Sequence, residues 1–153
     1  MAIAAGDVSA QIIETRYFTR PGQTKRGMFV AVKLTIDFGT GSGTYAGASG
    51  VPLTNLFTSG QTPYIGMDPA EHVCGVASLC VSSNSQELAF ACSFSDEART
   101  AAGKILHLYT ADGGESGEHA LHELADGQDA VDAAYYNGNH DGIVFLQLWG
   151  TEA

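Results

Sequence analysis

The basic side chains of this sequence gather in one short segment. The stretch "RYFTRPGQTKRG", residues 16–27, holds four of the seven basic residues in a chain of 153 residues: Arg16, Arg20, Lys25 and Arg26. Lys and Arg contact nucleic-acid phosphates, and Tyr17 and Phe18 could stack on bases. The chain has 17 acidic residues and a net charge of −10, which would repel nucleic acid. Two interpretations remain, a solvated turn or a contact with an acidic protein surface.

Two groups of polar side chains have residue types that bind metals. His119 and His122 stand at i and i+3 beside Glu118 and Glu123, which is conceivable for a transition metal. Two acidic runs could offer oxygen atoms to Ca²⁺, although neither has the spacing of an EF-hand loop; they are Asp112, Glu115 and Glu118, and Asp126, Asp129 and Asp132. We predict that these residues form a solvated polar surface, with no metal site and no cofactor.

The glycine-rich stretches do not complete a catalytic or phosphate-binding motif. "GTGSGTYAGASG", residues 39–50, lacks the Lys of a P-loop and the spacing of a dinucleotide-binding turn. Ser49 lies in G-A-S-G-V, which lacks the second Gly of a nucleophile elbow. We therefore predict a protein that is not an enzyme and has no catalytic residues. The stretch itself is predicted to be a long loop, with a binding loop as the alternative.

The cysteines and the N-terminal residues indicate the compartment. Cys74, Cys80 and Cys92 are an odd number and lie in apolar, strand-like runs, so we predict buried, reduced thiols. The start "MAIAAGDVSAQ" lacks a basic leader followed by an apolar run, and no run of 18 apolar residues occurs. The sequence predicts a soluble protein that is made in the cytoplasm and has no membrane partner.

Alternation of apolar and polar residues is the main structural signal. In "MFVAVKLTIDF", every second residue is apolar, which is typical of a half-buried strand: Val30, Val32, Leu34, Ile36 and Phe38. Apolar runs at 10–18, 73–82, 87–94, 104–110 and 142–149 are also short, and Asn84 and Asn137-Gly138 mark turns. We predict an all-β fold, an antiparallel sandwich or barrel of about 6–8 strands with long Gly-rich loops.

The predicted organisation is one β domain over residues 1–153, with a basic N-terminal hairpin or arm at about 10–33. Pro21-Gly22 and Gly27 should form its turn and project Arg20, Lys25 and Arg26 beyond the sheet edge. The pattern over residues 116–136 has helical spacing but is interrupted by a glycine. It fits either one short helix or a strand.

Several motifs also resemble a known group of proteins. They are "SGVPLTNLF" at 49–57, "FACSFSDEARTAAGKILHLYTADG" at 90–113, "LHELADGQDAVDAA" at 121–134 and "GIVFLQLWG" at 142–150. This order is similar to that in small structural proteins of tailed-bacteriophage virions. The chain departs from their pattern at Ser49, where the first Gly of a pair is usual. It also departs at residues 97–100, which lengthen the turn before Gly103-Lys104.

The resemblance implies a head decoration, or cement, protein: an all-β module that lies on the capsid exterior of the virion, binds the major capsid protein and stabilises the head. It also implies a homo-oligomer, for which we expect a trimer, and it supplies no catalytic residues. The basic cluster Arg16, Arg20, Lys25 and Arg26 is then predicted to contact the capsid. Two alternatives stay open, a neck or tail structural protein and a non-enzymatic ligand-binding β module, for example one that binds carbohydrate.

Overall fold

A computed structural model describes residues 3–37, 50–82, 88–111, 121–123 and 141–153. The described part is built from nine strands and short 3₁₀ turns. The strands are β1 (Val8–Phe18), β2 (Gly27–Asp37), β3 (Val51–Pro52), β4 (Cys74–Ala77), β5 (Cys80–Ser82), β6 (Leu88–Asp96), β7 (Lys104–Ala111), β8 (Leu121–Glu123) and β9 (Asp141–Thr151). The 3₁₀ turns are Ala5–Asp7, Thr54–Phe57 and Ala101–Gly103. All strand pairs are antiparallel.

The strands follow the order β1-β2-β9-β5-β6-β7-β3, with β4 also paired to β9 and β8 paired to β7. One side of β9 therefore pairs with β2, and the other side pairs with β5 near the start of β9 and with β4 further along it. The strand β6 pairs with β5 at its start and with β7 over Ala91–Asp96. It connects the large layer formed by β1, β2, β9, β4 and β5 with a second layer around β7.

Strands β2 and β9 place alternate side chains in the core because successive residues of a strand point to opposite faces. Their buried residues are Met28, Val30, Val32, Leu34 and Ile36 on β2, and Val144, Leu146 and Leu148 on β9. Leu106 and Leu108 of β7 belong to the same apolar cluster, together with Leu53, Leu56 and Phe57. The core therefore lies between the two layers, as in an antiparallel β-sandwich.

The loop between β1 and β2 begins with a tight turn. The Gln23 amide donates to the Arg20 carbonyl oxygen at 3.2 Å, and Pro21 and Gly22 occupy the two central positions. Gly22 has φ of +75°, which a type II turn requires at its third residue and which glycine adopts without steric cost. The turn lies where the sequence predicted it, except that Gly27 is the first residue of β2 and does not belong to the turn.

The predicted all-β antiparallel fold is confirmed. All six predicted runs contain strands, and the run at 73–82 contains two, β4 and β5. The sequence did not indicate β3 or β8, which have two and three residues. Residues 121–123 of the ambiguous segment form β8, and the rest of that segment lies outside the described residues, as do Asn84, residues 38–49 and the Asn137-Gly138 turn.

Candidate functional site

The large layer has one face that does not contact the core, which we call the outer face. It consists of Phe29, Ala31, Lys33 and Thr35 on β2, Ile143, Phe145, Gln147 and Trp149 on β9, and Cys74 and Val76 on β4. Directly opposite residues of antiparallel strands share a face, and Trp149 lies opposite both Phe29 and Cys74. Gln147 lies opposite both Ala31 and Val76 in the same way.

One end of the outer face is apolar and exposed to solvent. The exposed fraction is 60% for Val76, 49% for Phe145 and 39% for Trp149. The Phe29 and Trp149 rings are in contact, with centroids 5.2 Å apart and planes tilted by 51°. Exposed aromatic and aliphatic side chains that adjoin one another mark interaction surfaces more often than isolated ones do.

Charged side chains lie beside this apolar end and at the opposite end of the outer face. Arg16 on β1 lies opposite Phe29, and its Nε donates to Glu14 Oε1 at 2.7 Å. Asp37 and Asp141 lie opposite each other at the other end of β2 and β9. Lys33 also lies on the outer face, directly opposite Phe145. The apolar end therefore adjoins charged side chains of β1 and β2.

The basic residues of the β1–β2 loop contact acceptors of their own chain. Lys25 Nζ is 2.6 Å from Asp68 Oδ2, and this hydrogen bond is the main cause that lowers the pKa of Asp68. Arg26 makes two hydrogen bonds to Glu152 Oε2, at 2.9 and 2.7 Å, and these hydrogen bonds lower the pKa of Glu152. Arg26 also lies 4.1 Å above the Tyr17 ring.

Arg20 is the least exposed of the four predicted contact residues. Its Nη1 donates to Thr151 Oγ1 at 3.0 Å, and its Nη2 is 3.5 Å from the Gly150 carbonyl oxygen. The loop is thus attached to the C-terminal end of β9, next to Trp149. Of the four, Arg16 is on the outer face, opposite Phe29. Arg26 contacts Tyr17, which lies opposite the buried Met28 and is therefore not an outer-face residue. The side chains of Arg16, Lys25 and Arg26 are 71%, 48% and 55% exposed.

A buried lysine, Lys104, connects the segment before β4 with the end of β6. Lys104 is 0% exposed, and its Nζ donates to Asp96 Oδ1 at 2.5 Å, to the Ala98 carbonyl oxygen at 2.8 Å and to the Pro69 carbonyl oxygen at 3.0 Å. The Val73 amide donates to the other oxygen of Asp96 at 3.0 Å. These contacts fix the segment before β4 to the end of β6.

Three side chains with nucleophilic and acid–base chemistry meet at the start of β4. Cys74 Sγ is 3.2 Å from His72 Nε2, and His72 Nδ1 is 3.2 Å from Asp96 Oδ2. His72 is 62% exposed and Asp96 is 7% exposed. Sequence reasoning missed this cluster. The weak signal for it was the spacing of His72 and Cys74 in "HVC", which puts two alternate residues on one side of an extended segment.

The prediction of three buried thiols is wrong for Cys74, which is exposed, and only partly correct for Cys92; Cys80 is buried, and all three are free. The exposure of Cys74 has a simple cause, because it belongs to the outer face opposite Trp149. A hydrogen bond with Cys92 and burial raise the pKa of the Cys80 thiol well above its usual range.

The metal candidates of the sequence analysis lie outside what the structure describes. Residues 112–120 and 124–140 are not described, and for His122 and Glu123 only the backbone is. Among the described residues, no group of three His, Cys, Asp or Glu side chains is arranged to hold a metal ion. The described residues also contain no helix with the length and hydrophobicity needed to cross a membrane.

Comparisons of the chain with protein-family models, with curated proteins and with solved structures find no match. The class that the fold and the site define is an antiparallel β-sandwich with an exposed aromatic face, a basic loop beside that face and an exposed thiol cluster.

Proposed function

We propose that the chain is a head decoration protein of a tailed bacteriophage, which attaches to the capsid exterior through its outer face. In this role the protein is not an enzyme, and its partner is the outer surface of the major capsid protein. The observation that carries the proposal is the exposed apolar end of the outer face, formed by Val76, Phe145 and Trp149, with the half-buried Phe29 ring in contact with Trp149. The motif resemblance supplies the identity of the partner.

The composition of the outer face fits a protein–protein interface. Centres of such interfaces are depleted in charge and enriched in aromatic residues, and a polar rim surrounds them. Here the centre contains Phe145 and Trp149 with the uncharged Gln147 between them on β9. Trp is among the residues that most often contribute a large share of the binding energy. The continuous antiparallel pairing of β2 and β9 would present these side chains with little loss of conformational entropy.

The basic segment is proposed to act at the rim of this interface. Lys25 and Arg26 have partners in their own chain, yet their side chains are 48% and 55% exposed. A carboxylate of the capsid protein can therefore share them with Asp68 and Glu152. Rim charges of this kind mainly change association rates and salt dependence.

Repetition over the shell is proposed to strengthen these contacts. Copies joined around a threefold axis would bind with avidity, and we propose a trimer on the virion. The oligomeric state is determined from the mass of the free protein in solution and from the number of adjoining copies on the particle. A free monomer together with isolated single copies on the particle would contradict the trimer but not the attachment through the outer face.

The experiment is cosedimentation of the purified chain with heads that were assembled without it. The double variant Val76→Thr and Phe145→Thr keeps strand-forming residues but removes the exposed apolar groups. We expect it to bind at least about tenfold more weakly than the wild type, which corresponds to about 1.4 kcal/mol. The matched control is Ile12→Thr, because Ile12 is a 38% exposed residue that lies opposite the buried Val32 and not on the outer face.

The control should bind like the wild type. Equal binding of the double variant and the wild type would contradict the docking role of the outer face. Absence of wild-type binding to heads would contradict the decoration function itself. Electron microscopy of the native particle then distinguishes a head position from a neck or tail position.

A second candidate function is carbohydrate binding, because the exposed Trp149 ring adjoins the half-buried Phe29 ring on one sheet face. Sugars stack on aromatic rings through their apolar faces. The two rings are tilted by 51° and so do not form one flat platform, which makes this function the weaker candidate. A glycan array decides it: a sugar that binds the wild type but not Trp149→Ala would favour this function over decoration.

A further inference from the structure

The cluster at the start of β4 has the order of atoms that activates a nucleophile. A thiol lies against one ring nitrogen of a histidine, and a carboxylate lies against the other: Cys74 Sγ to His72 Nε2 at 3.2 Å, and His72 Nδ1 to Asp96 Oδ2 at 3.2 Å. A nucleophile within reach of a base, with a third group that orients the base, is the general pattern of covalent catalysis. The thiolate, and not the thiol, is the reactive species.

The Asp96 carboxylate is held in place independently of His72. Lys104 and the Val73 amide donate to it, and Arg99 Nη1 is 3.1 Å from its Oδ2. Burial opposes ionisation of Asp96, but the hydrogen bonds from Lys104 and Val73 and the charges of Lys104 and Arg99 outweigh it and lower its pKa. The ionised, fixed carboxylate accepts a hydrogen bond from the protonated Nδ1 of His72, which leaves Nε2 unprotonated and able to accept the proton of Cys74.

Close packing of β4 fixes the thiol as well. A Cβ atom at Gly75 would lie 2.6 Å from the Phe94 ring and 2.9 Å from Leu148 Cδ2, so only glycine lets β4 lie this close to β6. Cys74 is then held opposite Trp149, with its side chain on the exposed outer face. Both the nucleophile and the carboxylate are therefore positioned by the sheet.

We propose that Cys74 is an S-acylation site, at which the thiol takes an acyl group with an apolar chain from a low-molecular-weight thioester. His72 accepts the thiol proton, and Cys74 Sγ attacks the carbonyl carbon of the thioester. A new carbon–sulfur bond forms as the old one breaks, and the departing thiolate receives the proton from His72. Asp96 is a positioning residue for the His72 ring.

The surroundings of Cys74 favour an apolar acyl chain. Trp149 lies directly opposite Cys74, and Val76 lies two residues away on the same face, with 60% of its surface exposed. An attached apolar chain would cover this surface and be removed from water together with it, which is favourable. The reaction concerns the free protein, whose outer face is uncovered, and it does not rest on the proposed attachment to capsids.

The test uses the isolated full chain and the octanoyl and acetyl thioesters of N-acetylcysteamine at neutral pH, with intact-mass and peptide mass spectrometry. We expect one octanoyl group, on Cys74, that hydroxylamine removes, and no octanoyl group on Cys74→Ser. His72→Gln should react at least about a hundredfold more slowly, the lower end of the range for a general base. Because His72 is mostly exposed, this variant should keep the wild-type melting temperature. Val76→Thr should reduce the preference for octanoyl over acetyl.

Two further measurements separate proton transfer from a merely structural role. Added imidazole should restore the acylation rate of His72→Gly, and it should leave the wild-type rate unchanged. The ¹⁵N signals of the His72 ring should show the proton on Nδ1, and the double variant Asp96→Asn and Lys104→Met, which removes both buried charges, should lose this preference. Equal rates for the wild type and His72→Gln, modification of Cys92 in place of Cys74, or a proton on Nε2 of the wild type would overturn the proposal.

Discussion

Replacement of the buried Lys104 by methionine should strongly destabilise the fold. The Lys104 side chain is 0% exposed and donates to Asp96, Ala98 and Pro69. Methionine fills a similar volume without a charge or a donor. The substitution leaves Asp96, which is 7% exposed, without its closest cation.

The expected size follows from these contacts. Removal of one partner of a buried ion pair typically costs about 3–5 kcal/mol, since the other charge stays buried. Arg99 at 3.1 Å and the Val73 amide at 3.0 Å still contact Asp96 and compensate part of the loss. We therefore expect about 3 kcal/mol, which corresponds to a decrease of about 6–12 °C in the melting temperature of a protein of this size.

Urea unfolding of a double-mutant cycle measures this cost. The cycle contains Lys104→Met, Asp96→Asn and the double variant. If the two groups stabilise each other, the double variant should lose less free energy of unfolding than the sum of the single variants, by about 1–3 kcal/mol. A loss below about 1 kcal/mol for Lys104→Met, or strict additivity, would refute the interpretation of the pair as a buried anchor.

The same pair makes stability depend on pH. Burial raises the pKa of Asp96, but the hydrogen bonds from Lys104 and Val73 more than offset this, so the folded-state pKa lies below the unfolded value of 3.8. A carboxyl group with a depressed folded pKa stabilises the fold above its unfolded pKa, and this contribution is lost as the pH falls through the folded pKa. The wild type should thus lose stability below about pH 4, and Asp96→Asn should lose less over the same range.

Two other substitutions test the loop and the strand packing. The triple variant Arg20→Ala, Lys25→Ala and Arg26→Ala should stay folded, because the ion pairs of Lys25 and Arg26 are exposed and contribute little to stability, and Arg20 makes only two hydrogen bonds to the end of β9. The triple variant should attach to heads more weakly than the wild type, and wild-type attachment should weaken as the salt concentration rises. Cosedimentation at low and high salt checks both. Equal decoration by the two proteins at both salt levels would show that the basic loop is a solvated turn with no role in attachment. Gly75→Ala should lower the free energy of unfolding by about 1–3 kcal/mol, since the Phe94 ring must move, and urea unfolding without a measurable shift would contradict the packing argument.

The fold could be predicted to the extent that strands have an alternating pattern. On β2 the buried residues alternate with residues of the outer face, so the period of two was visible. The run at 73–82 has no such period, and its division into β4 and β5 depends on β9, with which both strands pair at different places. The strands β3 and β8 are too short to leave a pattern, because only their pairing with β7 defines them.

The candidate site was predictable only in part. The four basic residues stood out by composition, but their partners did not, since Asp68 and Glu152 are 43 and 126 residues away from Lys25 and Arg26. The exposed aromatic face was hidden in "GIVFLQLW", where apolar residues occupy both faces of β9 and only the tertiary structure shows which face is covered. For the same reason the exposure of Cys74 could not be read from its apolar neighbours.

The outer face connects the two proposals but leaves them separately testable. Docking needs the apolar surface of Val76 and Phe145, whereas acylation needs the proton acceptor His72, which lies before β4 and is not one of the outer-face residues. His72→Gln should therefore slow acylation without changing attachment to heads. Phe145→Thr should weaken attachment, while its effect on the thiol is small, because Phe145 lies opposite Lys33 and Trp149 lies opposite Cys74. If both variants changed both measurements equally, a general disturbance of β4 and β9 would explain the results better than either proposal.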